Sequence, residues 1–93
     1  MGIAWTNSAD KHGVDREDAL HAILNYIYRV QEFDEPWIDT PNRPDLFIGP
    51  TKDRRTILEV MAVITPPDGI LIFHVMEARR KILDIAERGT DNA

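Results

Sequence analysis

The residues of this chain with the types and spacing to do chemistry fall in a few short stretches. The stretch "EARRK", residues 77–81, sets Arg79, Arg80 and Lys81 side by side where a strand pattern gives way to a helix pattern. Cations in the first turn of a helix oppose its macrodipole by about 0.3–1 kcal/mol each, and a local rule broken in this way marks a candidate site. Two guanidinium forks next to free backbone N–H groups form a corner suited to a phosphate. The plainer reading is a solvated pair of arginines offset by Glu77 and Asp84. A second basic cluster, "KDRR" at 52–55, supplies Lys52, Arg54 and Arg55.

His74 and Glu59 are the candidates for proton transfer. Cleaving RNA without a metal requires a base for the 2′-hydroxyl, an acid for the leaving 5′-oxygen and a cation for the charge that builds on phosphorus. An imidazole titrates near neutrality and can fill either proton-transfer role. Glu59 is the one carboxylate inside the central strands and is the complementary candidate. A histidine in an apolar strand is more often a hydrogen-bonded core or rim residue. His12 and His21 stand nine positions apart without metal-ligand spacing, and cysteine is absent, so neither a metal nor a disulfide is expected. His21 reads as the polar side of its helix. Trp5, Tyr26, Tyr28 and Trp37 have faces on which bases could stack, but core packing and loop anchoring are the simpler account of each. The chain has no GxSxG, no phosphate-cradling glycine loop and no dinucleotide fingerprint, so no cofactor is expected.

Ninety-three residues correspond to one domain, expected to span 1–93 with a fraying tail at 90–93. The net charge of −5 argues against a protein that coats nucleic acid without specificity. Its distribution is uneven. Residues 1–50 hold four cations and nine anions, whereas residues 51–93 hold seven of each, and six of those seven cations lie in the two clusters. The start "MGIAWTNSAD" has neither a basic nor an apolar leader region, and no apolar run approaches the roughly 20 residues that span a membrane. A cytoplasmic protein is the expectation.

The elements that must hold these residues follow from periodicity and turn signals. "TNSADKHG" reads as a short helix capped by Thr6, with Gly13 in a left-handed conformation. "DREDALHAILNY" reads as a second helix capped by Asp15, with Leu20, Ile23, Leu24 and Ile27 forming its apolar stripe. Strands are expected at 26–33, "LFIG", "TILEVMAVI" and "ILIFHVM". The proline-rich stretch at 34–45 joins the first two of these strands, and "TPPDG" forms the last turn. A helix over "EARRKILDIAER" closes the chain at Gly89. The resulting fold class is α+β, with helices on one face of a four-stranded antiparallel meander. Turn placement brings "KDRR" and "EARRK" to the same end of that sheet. If Ile64 pairs with Ile70, Val60 faces His74 and Glu59 faces Val75, which points Glu59 away from His74. A shift of one residue would put the two side by side. The strand at 26–33 is an exposed edge, so a homodimer is possible.

The segments "WTNSADKHGVDREDALHAI", "LFIGP", "LEVMAV" and "FHVMEARRK", taken in order, resemble small prokaryotic toxins of the BrnT-like group in the RelE/ParE superfamily, with the closest likeness to actinobacterial members. The likeness covers nearly the whole chain and rests on the order and spacing of short motifs. It implies N-terminal helices, a curved antiparallel sheet and a C-terminal helix. It also implies metal-free RNA cleavage and silencing by an antitoxin, a small DNA-binding protein encoded nearby. "MEARRK" matches the element that ends the last strand in that group, which assigns Arg79 a functional role. Trp5 matches the early tryptophan, and Lys11, His12 and Gly13 match a structural helix–turn element.

Two functional expectations result. In the first, the chain is an endoribonuclease toxin in which Arg79, with Arg80 and Arg55, holds the scissile phosphate. His74 transfers the proton, Glu59 complements it, and Lys52, Arg54 and Lys81 steer RNA. In the second, the chain is a non-catalytic module of the same fold that works by binding a partner protein. The acidity of the chain and the lack of Tyr and Arg around "AVITPPDG" favour this second reading.

Overall fold

The computed structural model of the chain describes residues 2–31, 44–65 and 69–91. Five strands form one mixed sheet in the order β1-β5-β4-β3-β2. They are β1 (Gly2–Trp5), β2 (Tyr28–Val30), β3 (Asp45–Pro50), β4 (Ile57–Thr65) and β5 (Gly69–Glu77). The helices are α1 (Arg16–Leu24) and α2 (Arg80–Asp91), and a short 3₁₀ turn covers Asn7–Asp10. The α+β class is as expected, but the four-stranded antiparallel meander is not. The additional strand, β1, lies parallel to β5, with Gly2 beside Gly69 and Trp5 beside Ile72. Four residues carry too little alternation to register as a strand, and a parallel partner nearly seventy positions away leaves no local turn signal.

The helices lie on both faces of the sheet, not on one. On β4, Leu58, Val60 and Ala62 pack with Ala19 and Ala22 of α1, while Met61 and Val63 pack with Ile82 and Ala86 of α2. Because side chains alternate along a strand, these two sets occupy opposite faces. The near-continuous apolar run "ILEVMAVI" is what a strand covered on both sides requires.

The expectations for α1 divide. Its cap is as expected, with Asp15 Oδ1 accepting from the Glu17 N–H at 3.1 Å. Its apolar stripe is as expected only in part, since Leu20 and Ile23 pack against the core but the other two members do not. Ala19 and Ala22 are fully buried, whereas Leu24 is 78% exposed and Ile27, beyond the helix end, is 55% exposed. The reason is close approach to β3. A Cβ on Gly49 would stand 2.2 Å from the Ala22 carbonyl oxygen, so only small residues fit between this helix and its strand. His21 is more than a polar flank, because its Nδ1 donates to the Pro50 carbonyl at 2.9 Å and ties the helix to the end of β3.

Helix α2 begins three residues later than "EARRK" implies and runs through Gly89 to Asp91. Strand β5 occupies the missing turn. Glu77 still pairs with Leu58, and the Ala78 N–H donates to the Ile57 carbonyl at 2.8 Å. Gly13 adopts the positive φ expected of it, 70°. The strand expected over 26–33 is confined to Tyr28–Val30 within the described residues. Of the proline-rich connection expected at 34–45, Asp45 opens β3 instead; its residues 34–43, with Trp37, the centre of the "TPPDG" turn and the last two residues lie outside the described residues.

Gly49→Ala should push α1 off the sheet and cost about 3 kcal/mol or more, the upper range for overpacking against a backbone that cannot yield. A urea-unfolding midpoint unchanged from the wild type would contradict this close approach.

Candidate active site

The register of β4 against β5 changes once, and that change builds the site. From the turn, Ile64 pairs with Ile70, Val63 with Leu71 and Ala62 with Ile72, as the turn signals require. Met61 then pairs with His74 instead of Phe73, so Phe73 is an extra residue in β5, a β-bulge. Beyond it Val60 pairs with Val75 and Glu59 with Met76. The bulge supplies the one-residue shift, which brings His74 round to the side of β4 that carries Met61 and Glu59. The expected opposition of Glu59 and His74 is therefore overturned.

Glu59 is fully buried, and both of its oxygens are occupied. Oε2 accepts from His74 Nε2 at 2.8 Å and from Arg79 Nη2 at 2.8 Å. Oε1 accepts from the Arg79 backbone N–H at 2.9 Å and from Arg79 Nε at 3.1 Å. A carboxylate offers about four acceptor positions, and these four bonds fill them. Burial raises the carboxyl pKa, but the hydrogen bonds from His74 and Arg79 and the guanidinium charge outweigh it. The result is a pKa of about 2, against an ordinary 4.5. An ionised carboxylate can only accept, so His74 Nε2 carries a proton and donates it to Glu59.

Arg79 stands just ahead of α2, not within its first turn. Its carbonyl accepts from the N–H groups of Ile82 and Leu83, both at 3.0 Å, which makes it the residue on which the helix starts. The helix mouth does hold an anion beside a guanidinium fork, and that anion is the chain's own Glu59. The fork has five N–H donors, and Glu59 takes two of them.

A cleft of about 440 Å³ borders this cluster, lined by Thr6, Ser8, Lys11, His12, Phe73, His74, Met76 and Arg79. It opens where β1 leaves the sheet. The last ladder contact on that side is the Thr6 N–H to the Ile72 carbonyl, at 3.0 Å. The chain then turns through Asn7–Asp10, which brings Lys11 and His12 alongside the bulged half of β5. The rings of His12 and His74 meet edge to face, with centroids 6.1 Å apart. Both His12 and Lys11 come from a segment whose sequence signals are those of a helix–turn element. Only the parallel pairing of β1, which aims that turn at β5, reveals them as cleft residues.

The remaining candidates lie elsewhere. Lys52 pairs with Glu17 through Nζ, and its N–H donates to Asp18 Oδ1 at 3.0 Å, which fastens the 52–55 turn to α1. Arg54 sits in the left-handed region at φ 60°, and Asp53 accepts from the Arg55 N–H and the Thr51 hydroxyl to shape the turn. Arg54, Arg55, Arg80 and Lys81 are exposed. The backbone pairing of Ile57 with Ala78 brings the two basic segments to one end of the sheet. Among the described residues lining the cleft, however, Arg79 is the only arginine, and Arg55 is not part of it. No described helix is long and apolar enough to cross a membrane. No family model, curated protein or solved structure matches the chain.

The depressed Glu59 pKa has a definite sign in stability. The group adds stability that is complete above pH 4.5 and is lost as pH falls toward about 2. That interval corresponds to about 3 kcal/mol. Between pH 5 and pH 2 the wild type should therefore lose about 3 kcal/mol more unfolding free energy than Glu59→Gln. Parallel acid-unfolding curves for the two proteins would rule out the buried ionised carboxylate.

Proposed function

We propose that the chain cleaves RNA without a metal, and that the cleft beside Glu59 is its active site. The observation that carries this reading is the 2.8 Å bond from His74 Nε2 to a buried, ionised glutamate at the edge of a cationic cleft. A carboxylate in this position fixes the tautomer and orientation of an imidazole, which prepares its other nitrogen for proton transfer. In this role His74 Nδ1 takes the proton of the 2′-hydroxyl as that oxygen attacks phosphorus. Lys11 and the donors of Arg79 not bound to Glu59 stabilise the charge on the phosphoryl oxygens. Glu59 does not exchange protons with the substrate; it is a positioning residue that acts through His74 and Arg79. Arg54, Arg55, Arg80 and Lys81, exposed at the same end of the sheet, steer the RNA backbone.

The likeness to BrnT-like toxins makes this reaction that of a toxin restrained by an antitoxin, acting in the cytoplasm where its RNA lies. The antitoxin would cover the basic end of the sheet. A non-catalytic interaction module is the competing reading. It draws on the net charge of −5 and on the engagement of Lys52 by Glu17.

The two readings separate in one experiment. Purified chain in a chelator-containing buffer should cleave single-stranded RNA, and His74→Ala should slow cleavage by about 10²–10⁴-fold, the usual worth of a positioned base. Its RNA affinity should also fall steeply with salt. A wild type that leaves RNA intact and binds it with no salt dependence would favour the module.

A further inference from the structure

We propose that His12 is the second proton-transfer group of this cleft, the acid that protonates the leaving 5′-oxygen. The inference rests on the reading of the cleft as a ribonuclease site and deepens it. In-line displacement at phosphorus puts the entering and leaving oxygens on opposite sides of the phosphate, so one proton donor cannot serve both. The base and the acid each need a reach of about 2.6–3.2 Å. Two rings with centroids 6.1 Å apart, both lining one cleft, stand close enough for one phosphate seated over the pair to meet both.

The division of labour follows from the tautomer. His74 donates through Nε2 to Glu59, so its neutral form has the lone pair on Nδ1 and is the natural acceptor. That leaves the acid role to His12, which is exposed and next to Lys11. Among the described residues that bond to the pair or line the cleft with it, the charged groups are Glu59 from β4, Arg79 ahead of α2, and Lys11 beside His12. The step balances without any further reactant. The 2′-oxygen forms a bond to phosphorus and its proton passes to His74 Nδ1. The bond from phosphorus to the 5′-oxygen breaks and His12 gives that oxygen a proton. The products are a 2′,3′-cyclic phosphate and a 5′-hydroxyl. Water then returns the two rings to their starting states.

The test uses a leaving group that needs no acid. The linkage that the wild type cleaves is mapped on an RNA oligonucleotide. The same oligonucleotide is then made with sulfur in place of the 5′-bridging oxygen at that linkage, since a thiolate departs unprotonated. His12→Ala should cleave the oxygen substrate about 10²–10⁴-fold more slowly than the wild type and the sulfur substrate within about tenfold of it. His74→Ala should be slowed on both. Equal slowing of His12→Ala on the two substrates, or no slowing on either, would overturn the acid role while leaving the ribonuclease reading in place. A wild type that cleaves no RNA would remove both. His12 is exposed, and an unchanged thermal midpoint in His12→Ala separates loss of the acid from loss of the fold.

Discussion

A carboxylate removed from water gives up several kcal/mol of hydration unless the protein returns equivalent hydrogen bonds and charge. Glu59 is such a group, and the donors that compensate it come from separate parts of the chain. One is the ring of a bulged strand residue, and three belong to the arginine on which α2 starts. The bulge at Phe73, the extra turn of β5 before α2 and the orientation of His74 are thus consequences of one requirement. If any of them shifted, the buried charge would lose part of its compensation. Removing one partner of such a pair typically costs about 3–5 kcal/mol.

The same requirement separates scaffold from site. On the α1 face, small residues and Gly49 let helix and sheet meet at short range, and the packing there is apolar. The α2 face is apolar over Leu46, Ile48, Met61, Val63 and Phe73, and turns polar at Glu59. Strand β1 covers the other edge of β5 only as far as Ile72, so the bulged half of β5 borders the cleft instead of a further strand. A polar cluster thus has a rigid back and an open front. That combination is what proton transfer to a bound substrate requires.

Much of the scaffold was legible. Asp15 as a cap, the positive φ of Gly13 and three of the strands follow from local signals that the fold does not override. The turn even gave the correct pairing for Ile64, Val63 and Ala62. What could not be read was non-local. A bulge leaves no sequence mark when, as at Phe73, the extra residue is as apolar as its neighbours. That single residue reversed the side on which His74 stands relative to Glu59. The face of α1 was misread in part, because Leu24 and Ile27 outrank alanine in hydrophobicity, while Gly49, twenty-five residues past Leu24, decides which of them fits. His12 was hidden for a related reason, because its place in the cleft depends on a parallel strand pairing. The corner for an anion at the head of α2 was legible in "EARRK", but not that Glu59 would occupy it.

The most direct measurement of this account is the tautomer of His74, read from two-bond nitrogen–proton correlations in protein labelled with ¹⁵N-histidine, at a pH where the ring is neutral. A buried Glu59 carboxylate that accepts from the ring requires the proton on Nε2 and a lone pair on Nδ1. The same spectrum of Glu59→Gln serves to assign the effect to that carboxylate. A neutral His74 protonated at Nδ1 would contradict the account, because its Nε2 could then not donate to Glu59 and the cluster would not be held as described.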